Sequence, residues 1–289
     1  MNKIDRIKIR DLPTLPDVLL QLNRVLQSKS VTIGTVNTII ERDPALTAKI
    51  LKLANSSYYG LSYRIDTIKR AITVLGFNTI RNLAVTVSIF NIFEKNGHPF
   101  IDIKTMWHHS IGCAIASKAL LYKREDLLQE KAFICGILHD IGKIFIFQNL
   151  PHDADKILKK LKEVKSLSQW EVEQELLGFD HTLLGSLIAE KWHFPKELAC
   201  GISLHHKPED FVSFSDKLEN SEEAELVLYS VYTGNQIAKA MALGISSDPL
   251  VSNINPIAWE KLGITEKDLP SVLLKIKEIF KDVLNSWNM

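Results

Sequence analysis

Five histidines and one aspartate stand where they could share a metal ion. His139-Asp140 lies in Gly136-Ile-Leu-His-Asp-Ile-Gly-Lys143, directly after the apolar run 132–138, and His205-His206 follows a second apolar run, 199–204. His109 also has apolar flanks, and His181 stands between the two pairs. Imidazole and carboxylate groups at the end of a buried helix are costly to desolvate unless something satisfies them. A divalent transition metal would do so. Neighbouring residues on a helix point about 100° apart, so one pair can serve two ions or bridge them. Two such pairs point to one or two ions, the arrangement that two-metal phosphoester hydrolysis uses. An imidazole-rich set with a carboxylate suits iron or manganese, with nickel or zinc as alternatives. Cys113, Cys135 and Cys200 are far apart, lack CxxC spacing and sit in apolar runs. They read as small core hydrophobes, not as a structural zinc site.

The other four of the nine histidines have ordinary explanations. His108 points elsewhere on the same helix as His109. His98 and His152 sit beside prolines in loop-like sequence, and His193 reads as a helix-end residue. Trp107, Trp170 and Trp192 read as core or interface anchors, and Asn55-Ser-Ser57 as a helix C-terminal cap.

The elements that must hold these groups are helical. Val18, Leu19, Leu22, Val25 and Leu26 recur at three and four residues after Pro13 and Pro16. Asp43-Pro44 is a cap followed by a first-turn proline. Asp66 is expected to start a helix that Gly76 ends. Ser168 and Glu171 have capping-box spacing, and Pro195 interrupts a further helical run. Val227, Leu228, Val231 and Ile237 form another stripe, and Leu273, Ile276, Ile279 and Phe280 predict a terminal helix. No segment alternates with period two, so the expectation is an all-α protein. Glu94–Pro99 is the best internal break, and Ser213–Glu225 reads as a loop leading into a helix. This organisation predicts an N-terminal helical lobe over 1–97 packed on a larger helical lobe over 98–245 that carries the metal site. A helical extension over 246–289 follows.

Thirty-five basic residues balance 34 acidic ones, which argues against a nucleic-acid binder. The N-terminus lacks the continuous apolar core of a signal peptide. The apolar stretches 84–93 and 132–138 fall short of a membrane span. A cytoplasmic protein with no membrane association is expected.

The order His…His-Asp…His…His-His resembles the HD superfamily of metal-dependent phosphohydrolases, and most closely its HDOD branch. Further resemblance comes from Leu12-Pro-Thr-Leu-Pro16, Asp43-Pro-Ala-Leu46, Ile50-Leu-Lys-Leu-Ala-Asn-Ser-Ser57, Tyr59-Gly60, Ile68-Lys-Arg-Ala-Ile72 and Leu75-Gly76. It covers about residues 12–240. It implies an HD-like all-α fold and a role in bacterial signal transduction through a protein partner. By this resemblance His109, His139, Asp140, His181, His205 and His206 are metal ligands. Lys143 matches a lysine that HD-GYP relatives point at phosphate; otherwise it reads as a surface lysine. Asp140 and Lys143 would be the catalytic pair if the protein is active. The family's last ligand aspartate should fall in 226–240, where Asn235 stands instead. That would weaken a position formed by His109, His139 and Asp140, and would leave Asp140, His181, His205 and His206 intact. After His206 the chain reads Lys207-Pro-Glu-Asp210, so the Gly-Tyr-Pro motif of cyclic dinucleotide hydrolysis is absent. Two functions remain open: a regulatory metal-binding HDOD protein, or an active metal-dependent phosphohydrolase acting on nucleotide-type phosphoesters.

Overall fold

The computed structural model describes residues 12–26, 30–94, 102–216, 218–248 and 250–287. The described residues are all-α and contain no strand. They divide into two compact units, Leu15–Ile92 with Lys277–Met289, and Met1–Thr14 with Phe93–Ile276. His98 and residues 95–99 of the expected break lie outside the described residues.

The first unit is built from α1 (Asp17–Leu26), α2 (Ile33–Glu41), α3 (Pro44–Ala54) and α4 (Ile68–Glu94). Local signals set its boundaries. The carboxylate of Asp43 accepts the Leu46 backbone N–H at 3.0 Å, with Pro44 in the first turn. The Asn55 side chain closes α3 by donating to Leu51 O, and it holds Ile65 through both that residue's N–H and C=O at 2.7 Å each. The cap of α4 is Thr67, whose Oγ1 accepts from Arg70 N at 3.2 Å, one residue later than the sequence suggests. Gly76 takes φ 82° and breaks α4 into two segments, a conformation closed to most L-residues. Leu19, Leu22, Ile40, Leu46, Ile50 and Ile68 form its core. Residues Ile68–Ile92 are long and apolar enough to cross a membrane by length and composition, but 61% of the apolar window is buried inside the protein. Core helices share that property.

The second unit contains α5 (Ile103–Leu120), α6 (Asp126–Leu138), α7 (Ile141–Asn149), α8 (Pro151–Glu163), α9 (Gln169–Leu177), α10 (His181–Lys191), α11 (Lys196–Leu204), α12 (Val212–Ser215), α13 (Ser221–Ala240) and α14 (Pro256–Leu262). The last helix, α15 (Leu269–Trp287), begins in this unit and ends in the other. Helix α5 packs against both α6 and α13. Helix α6 is buried on every side from Ala132 to Leu138, as expected for a central helix. Helix α8, by contrast, buries only Ala154, Ile157 and Leu161 and turns its lysines outward. The capping box forms at Ser168 and Glu171. Trp192 is buried and donates its indole N–H to Pro13 O at 2.8 Å, while Lys191 donates to Leu12 O at 2.6 Å. These two bonds tie the first described residues to the end of α10. The three cysteines are buried and unpaired. The stretch expected to be a loop from Ser213 to Glu225 is shorter, because α12 occupies its start and α13 begins at Ser221.

Candidate metal centre

Helix ends deliver most of the site. His139 closes α6 and Asp140 opens α7, so the turn between two buried helices presents both side chains together. His181 is the first residue of α10, whose cap Asp180 accepts the Thr182 and Leu183 backbone N–H groups. His205 closes α11, with His206 next to it. His109 and Asn235 come from the middle of α5 and α13. Close backbone packing seats α7 on α10: a Cβ on Gly142 would lie 2.0 Å from His181 O.

All six residues implied as ligands converge. Two groups result, Asp140 with His181, His205 and His206, and His109 with His139 and Asp140, each with its ligand atoms within 4.8 Å of one another. The carboxylate of Asp140 is common to both. Its Oδ2 lies 3.2 Å from His139 Nε2 and 3.9 Å from His109 Nε2, and its Oδ1 lies 3.4 Å from His181 Nε2 and 3.6 Å from His205 Nε2. His206 Nε2 is 3.1 Å from His181 Nε2. His206 is half-buried and the other five are buried.

The outer ring nitrogens are held by groups that can only accept. His139 Nδ1–H donates to Gly136 O and His205 Nδ1–H to Ile202 O, both at 2.8 Å. His181 Nδ1–H donates to Glu173 Oε2 at 2.6 Å. Each bond turns Nε2 inward, and in the neutral ring that atom carries the lone pair that binds a metal. His139 Nε2, His205 Nε2 and Asp140 Oδ1 are buried and have no hydrogen-bond partner within the described residues. Buried polar atoms are nearly always satisfied, so three unmet polar atoms at one point fit a cation.

Burial is the main cause that pushes His109 and His205 down to about 3. It also pushes His206 well below the ordinary histidine value, with His205 and His181 adding to the effect. These imidazoles are therefore neutral. Burial would lower His139 too, but the Asp140 carboxylate outweighs it and raises His139 to about 10, so without an ion its Nε2 carries a proton that a metal would displace. Asp140 is held well below the carboxylate range; burial opposes this, and His139 and Lys143 prevail.

Lys143 is not a surface lysine. It is fully buried on α7, and its Nζ donates to Asp140 Oδ2 at 3.0 Å. Asn235 does face the site, with Oδ1 3.1 Å from His109 Nε2. His108 is half-buried, His152 and His193 are exposed, and none of these three joins either group. Glu173 and Gln169 were not anticipated. Both are fully buried on α9, and Gln169 Nε2 donates to Glu173 Oε1 at 2.6 Å. Their four-residue spacing flanking Val172 was the available signal. It was masked by the capping box, which gave Glu171 and its neighbours a sufficient structural role. Trp170 stacks on the His206 ring with centroids 6.2 Å apart, closer to the site than a simple core anchor.

The HDOD domain model matches residues 12–208. The chain belongs to the HDOD family. A solved HDOD domain protein of unknown function from Geobacter sulfurreducens superposes with a TM-score of 0.79 at 23% identity, covering 99% of this chain and 96% of that one. A candidate phosphohydrolase from Shewanella amazonensis gives 0.75 at 24% identity, covering 98% and 97%. These identities support a shared HDOD fold. Among curated proteins, an uncharacterised protein of Treponema pallidum is 24% identical over 209 residues, 71% of this chain and 40% of its own length. The protein YuxH of Bacillus subtilis is 38% identical over 78 residues, 27% of this chain and 19% of its own. The chain thus spans less than half the length of the curated relatives it matches. The HDOD family is related to the HD phosphohydrolases, and this member carries His/Asp groups that could bind a metal.

Proposed function

We propose that this HDOD protein is a bacterial, cytoplasmic regulator that binds a divalent transition metal and acts through contact with a signalling partner. Asp140, His181, His205 and His206 would hold the principal ion, iron or manganese in preference to nickel or zinc. His109, His139 and Asp140 would hold a second, weaker one. The observation that carries this reading is the convergence of His139 Nε2, His205 Nε2 and Asp140 Oδ1, all buried and without a hydrogen-bond partner among the described residues. When bound, such an ion supplies a Lewis acid for phosphoester chemistry.

Two features favour regulation over turnover. Asn235 supplies a neutral amide beside His109 where a carboxylate would balance charge, leaving Asp140 as the one anion to face up to two divalent ions. Lys143 is enclosed against Asp140 and is not presented to a phosphate. Elemental analysis of protein purified without chelator tests the reading, with His205→Ala as control. One bound ion, lost in the variant, is expected. Phosphoester turnover that His139→Ala abolishes would overturn the regulatory assignment.

A second reading, an active phosphohydrolase, is favoured by a cleft of about 420 Å³ beside His206, lined also by Trp170, Thr182, Ser203 and Lys207. Incubation of the metal-loaded protein with a panel of nucleotides and cyclic dinucleotides separates the two. An untouched panel rules the enzyme out.

A further inference from the structure

The hydrogen bond that orients His181 does not end at Glu173. Glu173 is fully buried, and as a carboxylate it can only accept. Its Oε2 receives both the Nδ1–H and the backbone N–H of His181, at 2.6 and 2.7 Å. Its Oε1 receives Gln169 Nε2–H at 2.6 Å. The Gln169 amide is therefore oriented without ambiguity: nitrogen toward Glu173, oxygen away. That oxygen receives the Ser247 hydroxyl at 2.6 Å, across 78 residues of chain. Every donor in the series points the same way, from Ser247 to Gln169 to Glu173, and His181 donates into the same carboxylate from the other side.

The segment bearing Ser247 is itself pinned on both sides. Ile245 N–H donates to Thr105 O at 3.2 Å. Asp248 accepts from Lys239 Nζ at 2.6 Å and from Leu250 N at 3.2 Å. Ser252 N–H donates to Gln236 Oε1 at 2.9 Å. Ser247 is thus positioned by bonds that do not involve the site.

We infer that Ser247 and Gln169 are positioning residues for the metal centre: acting through Glu173, they fix the tautomer and ring plane of His181, so the segment between α13 and α14 tunes metal affinity. This rests on the metal-binding reading above. Anything that displaces this segment would act on the Asp140–His181–His205–His206 position without touching a ligand.

The test has two arms. In metal-free protein labelled with 15N-histidine, NMR should show His181 as the Nδ1–H tautomer with slow proton exchange. Ser247→Ala should give a mixed tautomer and faster exchange, and Ser247→Thr, which keeps the hydroxyl, should restore the wild-type pattern. Gln169→Leu should shift His181 in the same direction and further. In the second arm, calorimetric titration with manganese(II) chloride should show binding roughly tenfold weaker for Ser247→Ala and near wild type for Ser247→Thr. An unchanged His181 signal in both Ser247→Ala and Gln169→Leu overturns the inference. So does equal loss in the alanine and threonine variants, which would reduce Ser247 to packing. Wild-type protein that takes up no manganese overturns the metal reading itself, while the metal-free arm still judges the hydrogen-bond relay.

Discussion

Asn235 Oδ1 lies 3.1 Å from His109 Nε2, and its own amide nitrogen is buried with no hydrogen-bond partner among the described residues. The side chain faces His109, a proposed ligand, but brings no charge to it. Asn235→Asp should therefore tighten the position at His109, His139 and Asp140 by roughly tenfold or more, since ligand charge sets affinity for divalent ions. Bound metal measured by elemental analysis should rise from one ion toward two. The metal-free variant should melt lower than wild type, because it buries a second carboxylate near Asp140.

Lys143 and Asp140 form a buried ion pair at 3.0 Å. Asp140→Asn removes metal affinity and also leaves an ammonium enclosed without its partner. Urea unfolding in chelator should show a loss of about 3–5 kcal/mol. The double variant Asp140→Asn, Lys143→Met should recover most of that stability and none of the metal binding. Failure to recover would mean that Lys143 is stabilised by other groups.

Gly142 is required by the contact between α7 and α10. A methyl group there would meet the His181 carbonyl at 2.0 Å, a backbone atom that cannot rotate away. Gly142→Ala should cost about 1–3 kcal/mol by overpacking. It should also weaken metal binding, because the residue it displaces, His181, is a proposed ligand. Thermal melts and metal titration read the two effects separately.

Lys239 and Asp248 meet at 2.6 Å in a buried setting. Burial alone would raise Asp248, but the Lys239 ammonium outweighs it and holds the carboxyl below its ordinary value. On acidification the unfolded chain thus takes the proton first. The stabilisation is complete above about pH 4 and falls away below it. Lys239 is itself lowered, chiefly by burial, so its charge costs stability equally at acid and neutral pH and is relieved only at alkaline pH, which leaves the acid limb to Asp248. Asp248→Asn should lower stability at neutral pH and flatten its decline below about pH 4, as read by urea unfolding.

Much of the candidate site was legible because most of the residues that converge there sit at helix ends, where a polar pair after an apolar run stands out in sequence. His139-Asp140 and His205-His206 show this directly. The fold was legible for the same reason at Asp43-Pro44, Ser168 and Gly76, where local chemistry dictates the boundary. Lys143 was not, since the burial of a lysine depends on a carboxylate brought to it in space. Glu173 and Gln169 were not, because a helix bearing a capping box already accounts for polar residues in its first turns. The short α12 was missed because its four residues carry too little periodicity to rise above the surrounding polar sequence.

Asp140 spans both groups of histidines, one oxygen toward each. An ion on one oxygen would draw electron density from the other and place a like charge nearby. Two ions held there would therefore be anticooperative: filling either position would lower the affinity of its neighbour by the same factor, as thermodynamic reciprocity requires. Over a wide span of metal concentration the protein would sit at single occupancy, a plateau in place of a graded response.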